Sequence, residues 1–474
     1  MLLGIDQGTT GTRACLVDPR TGRIVRQAYA AHAQHQPQAG WIEHDANEIW
    51  ACTLHVIEQV TAGARPDGVA IANQGETVML WDAHTREPLH HALVWQDSRT
   101  AAQVAELARD PAVAARVRAL TGLRLDPYFS APKLRWLLDH VRRGDVRAGT
   151  LDTWLVDRLT NGAVFATDAS TAARTLLCDV DRVAWSPWLA ELFDVPLEIL
   201  PEIRDTDGGF GTCVGHGLDG VPIVASVVDQ PGALAGQGGI DRGDAKATFG
   251  TGCFVYVNTG ETRASAGDVL STIAWRRGGR TTYALDGGVL AVGSAIGWSR
   301  ELGLLEGELD AIGTRRDDDV VCVPALVGLG APHWDREVRA AWLGMSSSTS
   351  KADLVHALVD GICCRVAEVV AATERAAGIT VGELRADGGL TRSALLMQRQ
   401  ADLLGRPIAV AEEDEATVVG ACALAALRMG ALTEDELRAR KARSSARFEP
   451  RISADERAVV RDRFARALEV VRRY

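Results

Sequence analysis

The hydrophobic positions of the chain follow two alternating patterns, short apolar runs and longer amphipathic segments. Runs rich in β-branched residues occur at 14–17, 221–227 and 253–257, each bounded by polar or glycine-containing turns. Their length is that of strands, and the segments between them carry apolar residues at helical spacing. This alternation predicts an α/β architecture rather than a β-sandwich or a helix bundle.

Two amphipathic segments predict long helices. The first extends from Lys351 to about Ala377, where Ser350 and Asp353 form the pattern of a capping box at its start. Its apolar side chains share one face: Leu354, Leu358, Ile362, Val366 and Val369. The second begins near Ser453 in SADERAVVRDRFARALEVV and combines an apolar stripe with a charged, solvated face. It predicts an amphipathic helix close to the end of the sequence.

A duplicated design underlies the two halves of the chain. The segments DQGTTGTRACLVD at 6–18 and TFGTGCFVYVNTG at 248–260 each place a Gly-Thr turn between an apolar run and a following strand. Two such turns, one in each half, predict a duplicated unit around a common cleft. A chain of 474 residues also exceeds the size of a single hydrophobic core. We therefore expect two domains, 1–228 and 229–474.

The composition of the chain limits the kinds of molecule that the protein is expected to bind. With 51 basic and 62 acidic residues the net charge is −11, so sequence-independent binding to nucleic acid or to an anionic membrane is not expected. No apolar run reaches the ~18 residues of a membrane span. The nine cysteines include no C-x-x-C pair, and most lie within apolar runs. They are interpreted as buried thiols of a reduced compartment, which predicts a cytoplasmic protein.

The first Gly-Thr turn has the chemistry of a phosphate-binding loop. Backbone N–H groups at Gly8 and Gly11 are unshielded by side chains, and Thr9 and Thr10 add hydroxyl donors. Arg13 adds a planar guanidinium suited to phosphoryl oxygens. Asp6 precedes this loop, where a carboxylate is compatible with phosphate only if a cation lies between them, so it is assigned to Mg²⁺. An ordinary hairpin with a structural aspartate is the alternative.

The second turn, at Gly250 and Thr251, favours phosphate binding, because two such turns from two domains could hold a nucleoside triphosphate from both sides. A P-loop motif, G-x-x-x-x-G-K-[ST], does not occur in the sequence. GHGLDG at 215–220 matches G-x-G-x-x-G by letter, but it precedes an apolar run instead of following a strand. It is interpreted as a glycine-rich loop.

Asp229 and Gln230 follow the apolar run at 221–227, where ligands gather in α/β folds. A carboxylate at this position can take the proton of a substrate hydroxyl as that hydroxyl attacks a γ-phosphate. A helix N-cap for the segment that begins at Pro231 is the alternative role of Asp229.

Nine segments spread along the chain then carry a family signature: IDQGTTGTRACLVD, GWIEHDANEIW, NQGETVMLWD, ALVWQDSRTA, YFSAPKLRWLLD, DTWLVDRLTNG, FGTGCFVYVNTG, GLGAPHWD and ADGGLTRSALLMQRQADLLG. In these segments, which extend from Asp6 to about Leu427, the chain resembles the FGGY carbohydrate kinases and, within them, the glycerol kinase branch. The resemblance implies an actin-like fold, with two ribonuclease H-like α/β domains around a cleft that holds ATP, Mg²⁺ and a polyol.

The resemblance also implies roles for individual residues. Asp229 matches the catalytic base, and Asp6 and Asp229 are the expected metal-binding carboxylates. The implied nucleotide-binding positions are Thr9, Thr10, Gly11, Arg13, Gly250, Thr251, Gly293, Gly297, Gly389 and Ser393. The implied polyol-binding positions are Gly75, Glu76, Trp95, Tyr128, Asp229, Gln230 and Phe254. Without the resemblance, the three aromatic residues would be interpreted as core packing.

Three positions depart from the family pattern. Gly75 stands where glycerol kinases normally carry an arginine that donates hydrogen bonds to the substrate. Its loss predicts a roomier pocket and a preference for a tetritol or pentitol over glycerol, because a buried hydroxyl without a partner costs ~1–3 kcal/mol. Another arginine that reaches the same hydroxyl is the alternative explanation. Gly297 replaces a glutamine and Ser393 an asparagine, which predicts altered contacts to the adenosine.

The sequence therefore predicts an ATP-dependent kinase that phosphorylates a terminal hydroxyl of a small polyol. Glycerol itself and a ketopentose such as xylulose are the alternative substrates, although xylulose kinases typically carry a Met-His pair at the NQGET segment. A nucleotide-switched binding protein with an actin-like fold is the alternative from another class. By analogy with its relatives, the protein is expected to form a homodimer or homotetramer.

Overall fold

Strands and helices alternate along the whole chain. The computed structural model describes residues 1–141, 144–413 and 415–474. The strands of the first half are β1 (Leu2–Gln7), β2 (Gly11–Val17), β3 (Ile24–Ala31), β4 (Glu43–His44), β5 (Gly68–Asn73), β6 (Val78–Asp82), β7 (Ala92–Leu93), β8 (Val146–Thr150), β9 (Ala166–Asp168), β10 (Cys178–Asp179), β11 (Ala184–Trp185), β12 (Glu202–Arg204) and β13 (Ile223–Val228). Those of the second half are β14 (Ala245–Phe249), β15 (Cys253–Gly260), β16 (Leu270–Arg277), β17 (Arg280–Val289), β18 (Val321–Val323), β19 (Ala341–Leu343), β20 (Leu384–Asp387), β21 (Ile408–Val410) and β22 (Ala446–Phe448).

The α-helices lie between these strands. In chain order they are α1 (Ala46–Thr61), α2 (Ala101–Ala108), α3 (Pro111–Thr121), α4 (Ser130–His140), α5 (Leu151–Leu159), α6 (Ala169–Ala172), α7 (Pro187–Leu192), α8 (Asp229–Gly236), α9 (Gly293–Glu301), α10 (Lys351–Ala377), α11 (Ala394–Leu404), α12 (Ala416–Arg428), α13 (Glu434–Ala439) and α14 (Ala454–Arg473).

The two main sheets repeat one topology. The first has the strand order β3-β2-β1-β5-β13, with antiparallel pairing along β3-β2-β1 and parallel pairing along β1-β5-β13. The second contains β17-β15-β14-β20-β21 in the same order and with the same directions, extended by β16 and β22. Each begins with the hairpin that carries a Gly-Thr turn. The predicted duplication and the actin-like α/β fold are thus confirmed.

The two predicted long helices form where the sequence indicates. Helix α10 covers Lys351–Ala377. The Ser350 hydroxyl and the Asp353 carboxylate form its reciprocal capping box, and Gly378 ends it in the left-handed conformation with φ of 60°. Its apolar face packs against β15 and β17 in the core of the second half. The last helix, α14, starts from a capping box between Ser453 and Glu456.

Helices α8 and α12 connect the two halves. Helix α12 packs on β1 and β5 of the first sheet and crosses α8 closely. The crossing depends on glycines, since a Cβ on Gly420 would collide with the carbonyl oxygen of Gly232. This close packing fixes the N-terminal end of α8, and with it Asp229, between the two sheets.

The predicted domain boundary coincides with the junction of β13 and α8. Strand β13 belongs to the first sheet, whereas α8 packs against α12 of the second half. We propose to divide the chain there, into 1–228 and 229–474. Eight of the nine cysteines are buried and all nine are free thiols, as predicted. Within the described ranges, we find no helix with the length and apolarity needed to cross a bilayer.

Candidate active site

A cavity between the two sheets collects residues from distant parts of the sequence. Its volume is about 90 Å³. Eight of its lining residues are predicted site residues: Thr9, Gly75, Glu76, Trp95, Tyr128, Asp229, Gln230 and Phe254. The structure therefore brings every predicted polyol-binding position to one cavity, together with one threonine of the first hairpin. Their individual roles stay predictions.

Asp229 begins α8 immediately after β13. Its Oδ1 accepts a hydrogen bond of 2.6 Å from the backbone N–H of Gln230. Burial, followed by repulsion from the nearby Glu76, raises the pKa of Asp229 to about 6. A carboxyl group with such a pKa is ionised at neutral pH yet remains basic enough to take a proton. The alternative role as an N-cap is not supported, because Asp229 lies within the helix and Val228 is its N-cap residue.

Gln230 is held by a buried lysine that the sequence analysis did not identify as a site residue. Lys246 of β14, whose exposed fraction is 1%, donates a hydrogen bond of 2.6 Å to Oε1 of Gln230. Since Lys246 occupies the acceptor oxygen, the amide N–H₂ of Gln230 is left as the group that can donate to a ligand. Lys246 also lowers the pKa of Asp229, against the effect of burial. Lysine is rare in this chain, which has only four, so the sequence alone could have drawn attention to Lys246.

Aromatic side chains form one wall of the cavity. The ring centroids of Trp95 and Tyr128 are 5.4 Å apart in an edge-to-face arrangement, and Phe254 of β15 faces them from the second half. The position of Tyr128 is fixed by Lys133, which is fully buried and donates a hydrogen bond of 2.6 Å to the Tyr128 carbonyl oxygen. Such a wall can pack against the carbon chain of a polyol while polar groups bind its hydroxyls.

Glu76 and Asp286 are buried carboxylates that also line the cavity. Burial raises the pKa of Glu76, while the guanidinium of Arg174, whose Nε donates a hydrogen bond of 2.6 Å to Oε1, acts in the opposite direction. Arg174 also contacts Asp286 of β17, with 3.1 Å between Nη2 and Oδ2. Sequence reasoning missed Arg174 and Asp286, because they lie 98 and 210 positions beyond Glu76 in no recognisable local motif.

Two side chains lie close to Gly75. A Cβ on Gly75 would lie 2.7 Å from Cγ2 of Val228 and 3.6 Å from Cγ of Arg174. Gly75 itself lines the cavity, as does Arg174. An arginine from elsewhere in the chain is thus present on this side, which is the alternative to a roomier pocket, and the roomier pocket stays a prediction.

The first Gly-Thr hairpin meets the cavity through Thr9. Trp95 donates its indole N–H to Oγ1 of Thr9 at 2.9 Å, and Tyr29 donates its hydroxyl to Oγ1 of Thr10 at 3.2 Å. Gly8 donates its backbone N–H to the carbonyl oxygen of Gly11 at 3.0 Å, which closes the turn. Arg13, predicted to face phosphate, forms an ion pair of 2.8 Å with Glu415.

The second hairpin turn adjoins the N-terminal end of α9. Gly293 donates its backbone N–H to the carbonyl oxygen of Gly250 at 3.0 Å, and a Cβ on Gly293 would lie 2.5 Å from that oxygen. Thr251 is exposed, and the Cβ positions of Gly297 and Gly389 face open space. These predicted nucleotide positions lie outside the lining of the cavity.

Ser393, which was predicted to lie near the adenosine, contacts the start of α11 and Asp310. It caps α11 by accepting the backbone N–H of Leu396, and its Oγ donates to Asp310 at 2.9 Å.

The residues present suit a magnesium ion that is shared with phosphate. Burial, then the negative charges of Asp229 and Glu415, raise the pKa of Asp6 to about 7. Across the described ranges, no cluster of three or more His, Cys, Asp or Glu side chains could hold a metal by itself. Mg²⁺ is commonly bound by one or two carboxylates together with substrate phosphates, which is the arrangement that these two residues could provide.

This architecture is that of the actin-like kinases, in which two duplicated domains enclose the reacting groups. The chain belongs to the FGGY family of carbohydrate kinases: the model of the N-terminal domain matches residues 1–236 and that of the C-terminal domain residues 245–429. The protein is therefore an ATP-dependent kinase with an alcohol group as acceptor. This excludes the alternative of a nucleotide-switched protein without kinase activity.

Relatives of known sequence and structure align with this chain over nearly its full length. Glycerol kinase from Alkalilimnicola ehrlichii is 45% identical over 90% of both chains, and glycerol kinase from Thermus brockianus is 42% identical over 99% of this chain and 98% of its own. Plasmodium falciparum glycerol kinase, solved with ADP, superposes with a TM-score of 0.94 at 30% identity, covering 99% of this chain and 98% of its own. Gluconate kinase from Lactobacillus acidophilus, at 20% identity and a TM-score of 0.88, covers 99% of this chain and 97% of its own and shares the fold.

Proposed function

We propose that the protein transfers the γ-phosphoryl group of ATP to a terminal hydroxyl of glycerol. The observation that carries this proposal is one cavity that joins a partly buried carboxylate at the start of α8, an aromatic wall and a threonine of the first hairpin. Relatives at 45% and 42% identity that are named glycerol kinases support the choice of glycerol.

The size of the cavity supports a three-carbon substrate over the longer polyols expected from Gly75. Its volume is about 90 Å³, and Val228 and Arg174 lie beside Gly75. A neighbouring cavity of about 50 Å³ shares four lining residues with it and is also lined by charged side chains such as Arg124 and Asp126. The choice between glycerol and a longer polyol is therefore tested directly.

The proposed chemical step assigns one role to each of these side chains. Asp229 accepts the proton of the terminal hydroxyl of the substrate, and the oxygen of that hydroxyl forms a bond to the γ-phosphorus. The bond from the γ-phosphorus to the β,γ-bridging oxygen breaks at the same time, which releases ADP. Glu76, held by Arg174, accepts a hydrogen bond from a second hydroxyl, and the amide of Gln230 donates to the substrate. Thr9 and Thr251 contribute hydroxyls toward the phosphates.

Asp6 and Asp229 would hold Mg²⁺ with the nucleotide. When bound, Mg²⁺ supplies charge neutralisation at the β- and γ-phosphates. The chain's own contribution is one carboxylate from each of the two proposed domains, Asp6 from β1 and Asp229 from the start of α8.

A polyol panel tests the substrate. ADP release is measured with glycerol, erythritol, xylitol, ribitol and xylulose at saturating Mg·ATP. We expect kcat/KM for glycerol to exceed that for each of the others by tenfold or more. A tetritol or pentitol that exceeds glycerol would restore the preference that Gly75 suggested, and xylulose as the best substrate would favour a ketopentose kinase.

Two further properties are proposed, the compartment and the assembly state. The protein is expected to act in the cytoplasm, in line with its free thiols. Assembly into a homodimer or homotetramer is expected by analogy with relatives, and sedimentation equilibrium would test it.

A further inference from the structure

Arg174 has an unusual environment for a side chain that no sequence motif singled out. It lies just after α6, is 5% exposed, and lines the cavity that holds Asp229 and Glu76. Its guanidinium carbon is 5.9 Å from the ring centroid of Tyr128 and 5.5 Å from that of Phe129. The side chain is therefore held against the aromatic wall of the cavity as well as by charged partners.

The guanidinium connects carboxylates that come from the two halves of the molecule. Its Nε donates to Glu76, which follows β5 of the first sheet, at 2.6 Å. Its Nη2 lies 3.1 Å from Oδ2 of Asp286, which belongs to β17 of the second sheet. The carboxylates of Glu76 and Asp286 are 6% and 8% exposed, so solvent weakens neither interaction much. Arg174 thus forms an ion bridge across the domain interface at the wall of the cavity.

A purely structural ion bridge is the simplest alternative. Buried ion pairs are weak evidence for stability, because the desolvation of the charges offsets much of their attraction. Two observations favour a role in substrate binding. One partner, Glu76, is itself a candidate ligand for a substrate hydroxyl, and Arg174 fills part of the space beside Gly75.

We propose that Arg174 is a positioning residue that couples polyol binding to closure of the two domains. It holds the carboxylate of Glu76 in the ionised form and orientation that accept a polyol hydroxyl. Through Asp286 it ties that arrangement to the sheet whose hairpin carries Gly250 and Thr251. A polyol that binds to Glu76 therefore favours the domain arrangement that binds the nucleotide, and the nucleotide favours polyol binding by the same factor. This inference rests on the proposed function for its polyol, glycerol.

The test separates the two ends of the bridge. Asp286→Asn weakens the bridge on the second domain and leaves the Arg174–Glu76 contact in place. Arg174→Lys keeps the positive charge, but a single ammonium group lacks the planar set of N–H donors with which the guanidinium binds two carboxylates at once. Arg182→Gln is the matched control, because the Arg182 side chain is 83% exposed and lies on the surface of the same domain. Thermal unfolding first establishes that each variant is folded.

Binding of a non-hydrolysable ATP analogue with Mg²⁺ is then measured by calorimetry with and without saturating glycerol. In the wild type and in Arg182→Gln we expect glycerol to tighten nucleotide binding by about fivefold or more. In Asp286→Asn that factor should fall to within twofold of unity, while the glycerol affinity of the variant without nucleotide changes by less than threefold. Arg174→Lys should lose the coupling and also weaken glycerol binding by about tenfold, because both of its contacts are disturbed.

The outcomes that overturn the inference differ from the outcome that overturns the proposed function. Wild-type coupling retained in a folded Asp286→Asn, or no coupling in the wild type, would overturn the inference. A wild-type enzyme that transfers no phosphate to glycerol would instead overturn the proposed function, so the two failures are distinguishable.

Discussion

Trp95 donates its indole N–H to Oγ1 of Thr9 at 2.9 Å. This hydrogen bond joins the aromatic wall of the cavity to the Gly-Thr turn of the first hairpin, and the backbone of Trp95 is itself held by the hydroxyl of Thr77 at 3.1 Å. A side chain that packs against the polyol therefore also orients a hydroxyl that faces the nucleotide in the proposed mechanism. One hydrogen bond thus connects the proposed polyol-binding wall to the proposed phosphate-binding turn.

Trp95→Phe tests this contact. Phenylalanine keeps an apolar wall but has no N–H, so Thr9 loses its donor. We expect kcat to fall by about three- to tenfold, the worth of one ordinary hydrogen bond, with a change of less than threefold in the KM for glycerol. Thr9→Val should have the same effect, and the double variant should be no slower than the slower single variant. Full additivity of the two rate losses would show that Trp95 and Thr9 act separately.

Asp229→Asn tests the proposed base. The amide has nearly the shape of the carboxylate but cannot take a proton, so kcat should fall by ~100-fold or more. Nucleotide affinity, measured by calorimetry with a non-hydrolysable analogue and no added metal, should change by less than threefold. A rate close to that of the wild type would remove Asp229 from the chemical step.

The pH profile follows from the raised pKa of Asp229, which is about 6 because of burial and then of the charge on Glu76. The ionised form is the active one, so kcat/KM should fall by at least tenfold per pH unit well below 6, and it should become constant only above pH ~8, where Asp6, with a pKa of about 7, is ionised as well. Glu76→Gln removes the repelling charge and should shift this acidic limb to lower pH, besides raising the KM for glycerol. An acidic limb that keeps its position in Glu76→Gln would mean that another group controls it.

Local features of the sequence were enough to predict much of the fold. The capping box and apolar periodicity around Ser350 predict helix α10 with its observed bounds, because caps and spacing are properties of neighbouring residues. The two Gly-Thr turns likewise predict two hairpins, which open the two sheets. The position of Asp229 at a strand-to-helix junction also follows from local pattern.

The details of the cavity depend on long-range packing. The packing of Val228 beside Gly75 could not be predicted, because Val228 reaches that space from another strand of the sheet. The bridge from Glu76 through Arg174 to Asp286 joins three segments that only the folded chain brings together. A charged residue in an otherwise apolar stretch, such as Lys246 in β14, was the one available signal for a buried polar contact.

Gly75→Ala tests the packing around Val228. The added methyl group would approach Cγ2 of Val228 to 2.7 Å, so the variant should lose ~1–3 kcal/mol of unfolding free energy. Val228→Ala in the same chain removes the clashing methyl groups, and the double variant should be more stable than the sum of the two single effects predicts. Gly382→Ala is the matched control, since a Cβ there meets nothing within 4 Å. Strict additivity in thermal or denaturant unfolding would contradict the contact.

Asp6→Asn should separate stability from activity. In the folded protein, burial and then the charges of Asp229 and Glu415 raise the pKa of Asp6 to about 7, whereas an unfolded aspartate titrates near 4. The folded state thus binds more protons than the unfolded state between those values, and this group makes the protein less stable as the pH rises from ~4 to ~7. Asparagine has no such penalty. In the absence of metal and nucleotide, Asp6→Asn should therefore melt above the wild type at pH 8, with a difference that shrinks toward pH 4.

The same variant should lose at least tenfold in kcat, because one of the two carboxylates proposed to hold Mg²⁺ is gone. Glu191→Gln, an exposed position, is the control and should change neither property. A melting difference that is the same at pH 5 and pH 8 would show that Asp6 is not a strained, buried carboxylate.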